Sequence, residues 1–174
     1  MATKLTKAEI KDINFQYLPR LTVNNAEEYL SKSAKRSARV RKNLACQIDV
    51  PYGKTKGQKL DIFPASHKGS PVHVFIHGGY WRSLDKDIYS HLAAPMVSAG
   101  ATVVLPNYDL CPNVRITDIV NQMRSAISWV YKNIANHNGD PKRIYLSGHS
   151  AGGHLTGMMI ATDWSKVGRL PKNL

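Results

Sequence analysis

Gly148-His149-Ser150-Ala151-Gly152 holds a serine with glycine two places before it and two places after it. A serine hydroxyl can act as an acyl-transfer nucleophile when the chain turns so sharply that Oγ stands clear of its neighbours, and glycines at those two places leave room for the turn. The pattern is common by chance, so its context decides. A short apolar run, Ile144 to Ser147, leads straight into Gly148, and helix-compatible residues from Ala151 to Asp163 follow. Strand, serine, helix is the order such a turn needs, and the helix start would bring the positive end of its dipole near a developing anion. The plainer alternative is a serine that caps a helix.

His77-Gly78-Gly79-Tyr80-Trp81 directly follows the β-branched and aromatic run Val72 to Ile76. Acyl transfer passes through a tetrahedral oxyanion, and each backbone N–H aimed at it is worth about 3 kcal/mol. Paired glycines let the backbone approach a substrate closely. The candidate oxyanion donors are the N–H groups of Gly78, Gly79 and Tyr80, with that of Ala151 just after Ser150. Tyr80 and Trp81 are candidates to stack on an aromatic substrate, although Trp81 could equally pack the loop onto the core. His77 is expected to brace the loop by hydrogen bonding, and His73 to be a core histidine. A glycine-rich turn alone would carry little weight, but the two motifs stand about seventy residues apart, each where the chemistry needs it.

The elements that position them follow from periodicity. Gln47 to Val50 and Lys59 to Phe63 alternate in polarity around a Gly53-to-Gly57 turn, which predicts an antiparallel hairpin at a sheet edge. Val72 to Ile76, Thr102 to Leu105 and Ile144 to Leu146 predict core strands. A helix is expected from about Asp87 to Ala99. Ile116, Ile119, Val120, Met123, Ile127, Val130, Tyr131 and Ile134 recur at three- and four-residue steps, which predicts an amphipathic helix. Strands alternating with helices imply an α/β fold with parallel strands joined by right-handed crossovers. Asp140-Pro141 reads as a turn. Residues 1–44 are polar and helix-compatible, broken at Leu18-Pro19-Arg20 and Asn24-Asn25, and read as an arm or lid packed on the core at 45–174.

The chain has 174 residues, 43% hydrophobic and 21% charged, with a net charge of +12. That is enough for one core, and too apolar for a disordered chain. The basic block Lys32, Lys35, Arg36, Arg39, Arg41 and Lys42 has no interleaved aromatics and fits no nucleic-acid motif, so it reads as a solvated helix face and no nucleic-acid partner is expected. No apolar run approaches the roughly 20 residues that cross a bilayer, and the N-terminus resembles no secretory signal, so no membrane partner and a cytoplasmic location are expected. Cys46 and Cys111 lack metal or redox spacing, and His, Cys and carboxylates do not cluster; no metal and no cofactor are expected. The sequence leaves oligomeric state open.

His77 to Trp81, Asn107-Tyr108-Asp109-Leu110-Cys111-Pro112 and Ser147 to His154 together resemble the kynurenine formamidase (arylformamidase) branch of the α/β-hydrolases, whose broader relatives are the hormone-sensitive-lipase-like esterases. Those esterases usually carry a third glycine where this chain has Tyr80. The resemblance implies an α/β-hydrolase fold, a mostly parallel sheet with helices on both faces, and Ser150 as nucleophile. It implies a small-molecule substrate, an aryl formamide such as N-formylkynurenine. A carboxylesterase acting on short acyl esters and a non-catalytic binding protein with the same fold stay open.

In this fold the acid and the histidine follow the serine. Only 24 residues follow Ser150, and neither His154 nor Asp163 is placed to serve it. The expectation is that residues 45–174 are the N-terminal part of a core, with little or no turnover on their own.

Overall fold

The computed structural model describes residues 4–168, 170–172 and 174. The first three residues of the expected arm, and Arg169 and Asn173 of the tail, lie outside the described residues. Two helices come first, α1 (Lys7–Tyr17) and α2 (Ala26–Asn43), then strands β1 (Gln47–Pro51), β2 (Lys59–Phe63) and β3 (Ser70–Ile76). A 3-10 segment (Lys86–Leu92) runs into α3 (Ala93–Ser98), followed by β4 (Thr102–Pro106), α4 (Ile116–Asn133), β5 (Gly139–Gly148) and α5 (Ala151–Ile160).

The sheet order is β1-β2-β4-β3-β5. The hairpin β1–β2 lies at one edge, and β2 pairs antiparallel to β4. β3 lies between β4 and β5 and runs parallel to both, so the sheet is mixed and its parallel part carries both motifs at the same end. Successive side chains of a strand face opposite ways, and the two faces have separate covers. Leu60, Ile62, Val72, Val74, Ile76 and Val104 pack under α4 and α5, which contribute Ile119, Met123, Ile127, Val130, Leu155 and Met159. Phe63, Val103 and Leu105 face the other way, onto Ala93 and Val97 of α3 and onto Val40 and Leu44 from the end of α2. Burial of each large aliphatic side chain here is worth roughly 1.5–3 kcal/mol.

Two element boundaries differ from expectation. The stretch Asp87 to Ala99 is not one helix. Pro95 has no N–H to donate and its ring clashes with a preceding helical turn, so the α-helix starts at Ala93 and Pro95 sits in its first turn, after 3-10 geometry from Lys86 to Leu92. β5 begins earlier than Ile144. The Asp140–Arg143 turn lies within it as an irregularity: Ser70 pairs with Gly139, and Val72 next pairs with Ile144. Asp140 Oδ1 accepts from Lys142 N at 2.9 Å, the local turn that the sequence signalled.

α2 docks on the 3-10 segment. Buried Ser37 accepts from His91 N at 3.1 Å, and Arg41 donates to Ser90 Oγ at 3.0 Å and to the Asp87 carbonyl. Lys32, Lys35, Arg36, Arg39 and Lys42 are exposed. α1 buries no residue. Both cysteines are free and half-buried. No helix among the described residues is long and apolar enough to cross a membrane.

Candidate active site

The two chemistry-bearing segments leave the sheet side by side, because Ile76 at the end of β3 pairs with Gly148 at the end of β5. At Ser150 the backbone takes φ 55°, ψ −117°, a sparsely populated conformation for a residue with a Cβ. Ser150 is exposed, and its side chain makes no capping hydrogen bond to α5, unlike a serine whose task is to cap a helix. The flanking glycines are required sterically. A Cβ on Gly152 would collide with the carbonyl oxygen of Ile76, and one on Gly148 with that of Gly152. The helix therefore starts hard against the end of β3, and this close approach is what bends the chain back at the serine.

The loop after β3 is strained at several places. Gly79 has φ 122°, and Tyr80, Trp81 and Leu84 have φ 56°, 57° and 69°. Outliers of this kind cost of order 1–3 kcal/mol each and persist where surroundings over-determine them. Here the surroundings are largely side chains from the segment after β4. The His77 ring stacks on Tyr108 with centroids 4.2 Å apart, and Tyr108 Oη donates to the His77 carbonyl at 2.8 Å. Cys111 N donates to the Trp81 carbonyl at 2.8 Å. Asp109 accepts from Gly57 N in the hairpin turn at 3.0 Å and from Gln122 Nε2 of α4 at 2.8 Å. The Asn107-to-Pro112 motif thus serves as the loop's scaffold.

The expected oxyanion donors divide. Gly78 has a second task, because its carbonyl oxygen lies 2.7 Å from His77 Nδ1 and so braces the loop. Its closeness explains the glycine: a Cβ there would stand 2.6 Å from the His149 carbonyl oxygen and 3.2 Å from Ser150 Cβ. The N–H groups of Gly79, Tyr80 and Ala151 have no protein acceptor among the described residues.

The aromatic pair also divides. Tyr80 is exposed and lines a mostly apolar cavity of about 410 Å³, together with Ser150, His149, Leu84, and Leu18, Val23, Tyr29 and Leu30 of the N-terminal segment. Trp81 turns inward, packs on the main core and meets the His154 ring edge-on at 5.2 Å. Of the two roles open to Trp81, packing the loop is the one these contacts fill. His154 is thereby occupied, and Asp163 accepts from Ser165 at the next turn. Among the described residues no histidine or carboxylate is hydrogen-bonded to Ser150, and no group of three or more His, Cys, Asp or Glu could hold a metal ion.

One cluster escaped the sequence reading. Lys86 is buried with its Nζ 2.8 Å from each of Asp49, Asp61 and Asp87, tying the 3-10 segment to the hairpin. These carboxylates hold the ammonium well above the ordinary lysine range against the pull of desolvation. Burial pushes the fully enclosed Asp61 carboxyl upward, with Lys86 opposing. A lysine amid polar residues looks like surface in a sequence, and only the pairing of β2 with β4 brings Asp61 beneath it.

The family model described as BD-FAE matches residues 60–168. A kynurenine formamidase from Danio rerio is 34% identical over 160 residues, which cover 90% of this chain and 53% of that protein. An isoprenylcysteine alpha-carbonyl methylesterase from Arabidopsis thaliana is 34% identical over 67% of this chain and 28% of its own length. A Silicibacter sp. crystal structure, provisionally assigned as a thioesterase, matches with TM-score 0.75 at 35% identity, covering 83% of this chain and 53% of the other. The chain spans about half the length of the formamidases it matches. The fold, the paired motifs and these matches agree: the chain belongs to the BD-FAE family of α/β-hydrolases, in the branch that resembles the kynurenine formamidases.

Proposed function

We propose that this chain carries the nucleophile half of a serine hydrolase site that cleaves an aryl formamide of the N-formylkynurenine type. Ser150 Oγ adds to the formyl carbon, and the tetrahedral anion is held by the N–H groups of Gly79, Tyr80 and Ala151. The C–N bond then breaks, the amine leaves with a proton, and water releases formate from the Ser150 ester. A histidine acts as base, oriented by an acid. Neither is among the described residues, so the proposal concerns the whole protein that holds this half-site. The cavity wall of Leu18, Val23, Tyr29, Leu30 and Tyr80 suits an aryl group, which gives the N-terminal segment the role of a lid. A cytoplasmic location belongs to the same reading.

The observation that carries this is the backbone at Ser150: strained, exposed, uncapped and in contact range of Gly78. A second reading, a carboxylesterase on short acyl esters, draws on the Arabidopsis methylesterase relative. Purified full-length protein assayed on N-formylkynurenine and on p-nitrophenyl acetate separates the two. Turnover of the formamide is expected, abolished by Ser150→Ala. Turnover of the ester alone would favour the second reading, and turnover of neither would favour a binding protein with this fold.

A further inference from the structure

His77 lies buried, 1% exposed, at the base of the loop. Its Nδ1 is 2.7 Å from the Gly78 carbonyl oxygen, and its Nε2 is 2.8 Å from Asn107 Oδ1. The carbonyl can only accept. The Asn107 amide could in principle present its nitrogen instead, but Asn107 Nδ2 donates to Asp85 Oδ2 at 2.8 Å. Turning the amide would set its oxygen against a carboxylate, which also only accepts. Both ring nitrogens therefore face acceptors, and only a doubly protonated ring has two N–H groups to give. A neutral ring would aim a lone pair at an oxygen less than 3 Å away.

We propose that His77 is an imidazolium, balanced by Asp85 through Asn107, and that it is the positioning residue of the oxyanion loop. Its Nδ1–H holds the Gly78 carbonyl and so fixes the peptide that leads to the Gly79 and Tyr80 donors. Its charge adds a fixed positive field beneath them. The flat stack on Tyr108 at 4.2 Å, with Tyr89 at 6.2 Å beyond, suits a cation.

The charged and titratable groups facing the ring are Asp85 from the segment after β3, Lys86 and Tyr89 from the 3-10 stretch and Tyr108 from the segment after β4. Lys86 is already matched by its three carboxylates. Desolvation opposes the charged ring, and the Gly78 carbonyl, Asn107 and Asp85 favour it. The pairing geometry is the stronger constraint, because losing the proton strands a buried acceptor on one side or the other. The catalytic consequence rests on the hydrolase reading above; the protonation does not.

The test is a nitrogen-15 NMR spectrum of the histidine-labelled full-length protein at neutral pH, with His77→Gln identifying the His77 signals. Two protonated ring nitrogens on His77 are expected; one protonated and one bare nitrogen would overturn the proposal. Asp85→Asn should lower the ring's titration midpoint by about one pH unit, and Asn107→Asp should keep the ring doubly protonated. An unchanged midpoint in Asp85→Asn would remove Asp85 from the account. If either variant fails to fold, the unmodified spectrum still decides. In the full-length protein, Asn107→Leu should cut kcat about ten- to a hundredfold with KM almost unchanged. A rise in KM alone would refute the positioning role. Because the spectrum reads the proton without any substrate, an inactive protein would count against the hydrolase reading only.

Discussion

The turn at Ser150 and the loop from His77 to Leu84 meet at Gly78, yet they hold their strained backbones by different means. The turn is built from its own chain. Gly148, Gly152 and the end of β3 approach so closely that no side chain fits between them, and the serine's conformation follows. The loop is built from elsewhere: Tyr108, Asn107 and Cys111 after β4 hold it directly, and Lys86 fastens the segment that follows it to the hairpin. A self-made geometry concentrates its vulnerability at two glycines, whereas a borrowed one spreads it over residues far apart in sequence.

The largest effect should come from the borrowed side. Lys86→Ala leaves the fully buried Asp61 without its partner, at a cost of roughly 3–5 kcal/mol, to be measured as a fall in the urea midpoint. The pair Lys86→Met with Asp61→Leu should recover most of that loss. If Lys86→Ala proves neutral, the loop does not depend on the cluster. Gly152→Ala attacks the self-made side by forcing a methyl against the Ile76 carbonyl; a loss of about 3 kcal/mol is expected, with no second-site change of a single side chain able to restore it.

A smaller difference measures the stored strain. At a positive φ, glycine avoids a penalty of about 1–2 kcal/mol that alanine meets, so Ser150→Gly should be more stable than Ser150→Ala by about 1 kcal/mol in chemical denaturation. Equal stabilities would mean that the turn stores no strain at Ser150. The smallest effect is a pH dependence. The Lys86 hydrogen bond holds the Asp49 carboxyl below the usual aspartate range. Its folded pKa is therefore below its unfolded one, and its contribution to stability is full above the ordinary aspartate value and fades as pH falls through the folded value. Asp49→Asn should lower stability slightly in the neutral region and leave it unchanged at the acid end, so that the acid limb of a stability-against-pH curve becomes flatter.

The same contrast explains what could be read in advance. Ser150 and its glycines form a local pattern, and alternating or helical spacing gave the hairpin, the three core strands and α4. The single helix expected over 87–99 breaks near Pro95, and β5 starts upstream of Ile144 because a local turn at Asp140 sits inside the strand. A bracing role for His77 was legible, but its partners Asn107 and Asp85 depend on which strands are neighbours. For Trp81 the aromatic type alone could not separate a substrate contact from packing against His154, and Lys86 carried no local signal of burial.

The central claim is that Ser150 is a nucleophile held ready by its own turn. Treating the full-length protein with a fluorophosphonate and mapping the adduct by mass spectrometry tests it most directly. One adduct on Ser150, absent from Ser150→Ala, is predicted; N-formylkynurenine turnover with Ser150 left unlabelled and dispensable would contradict the account.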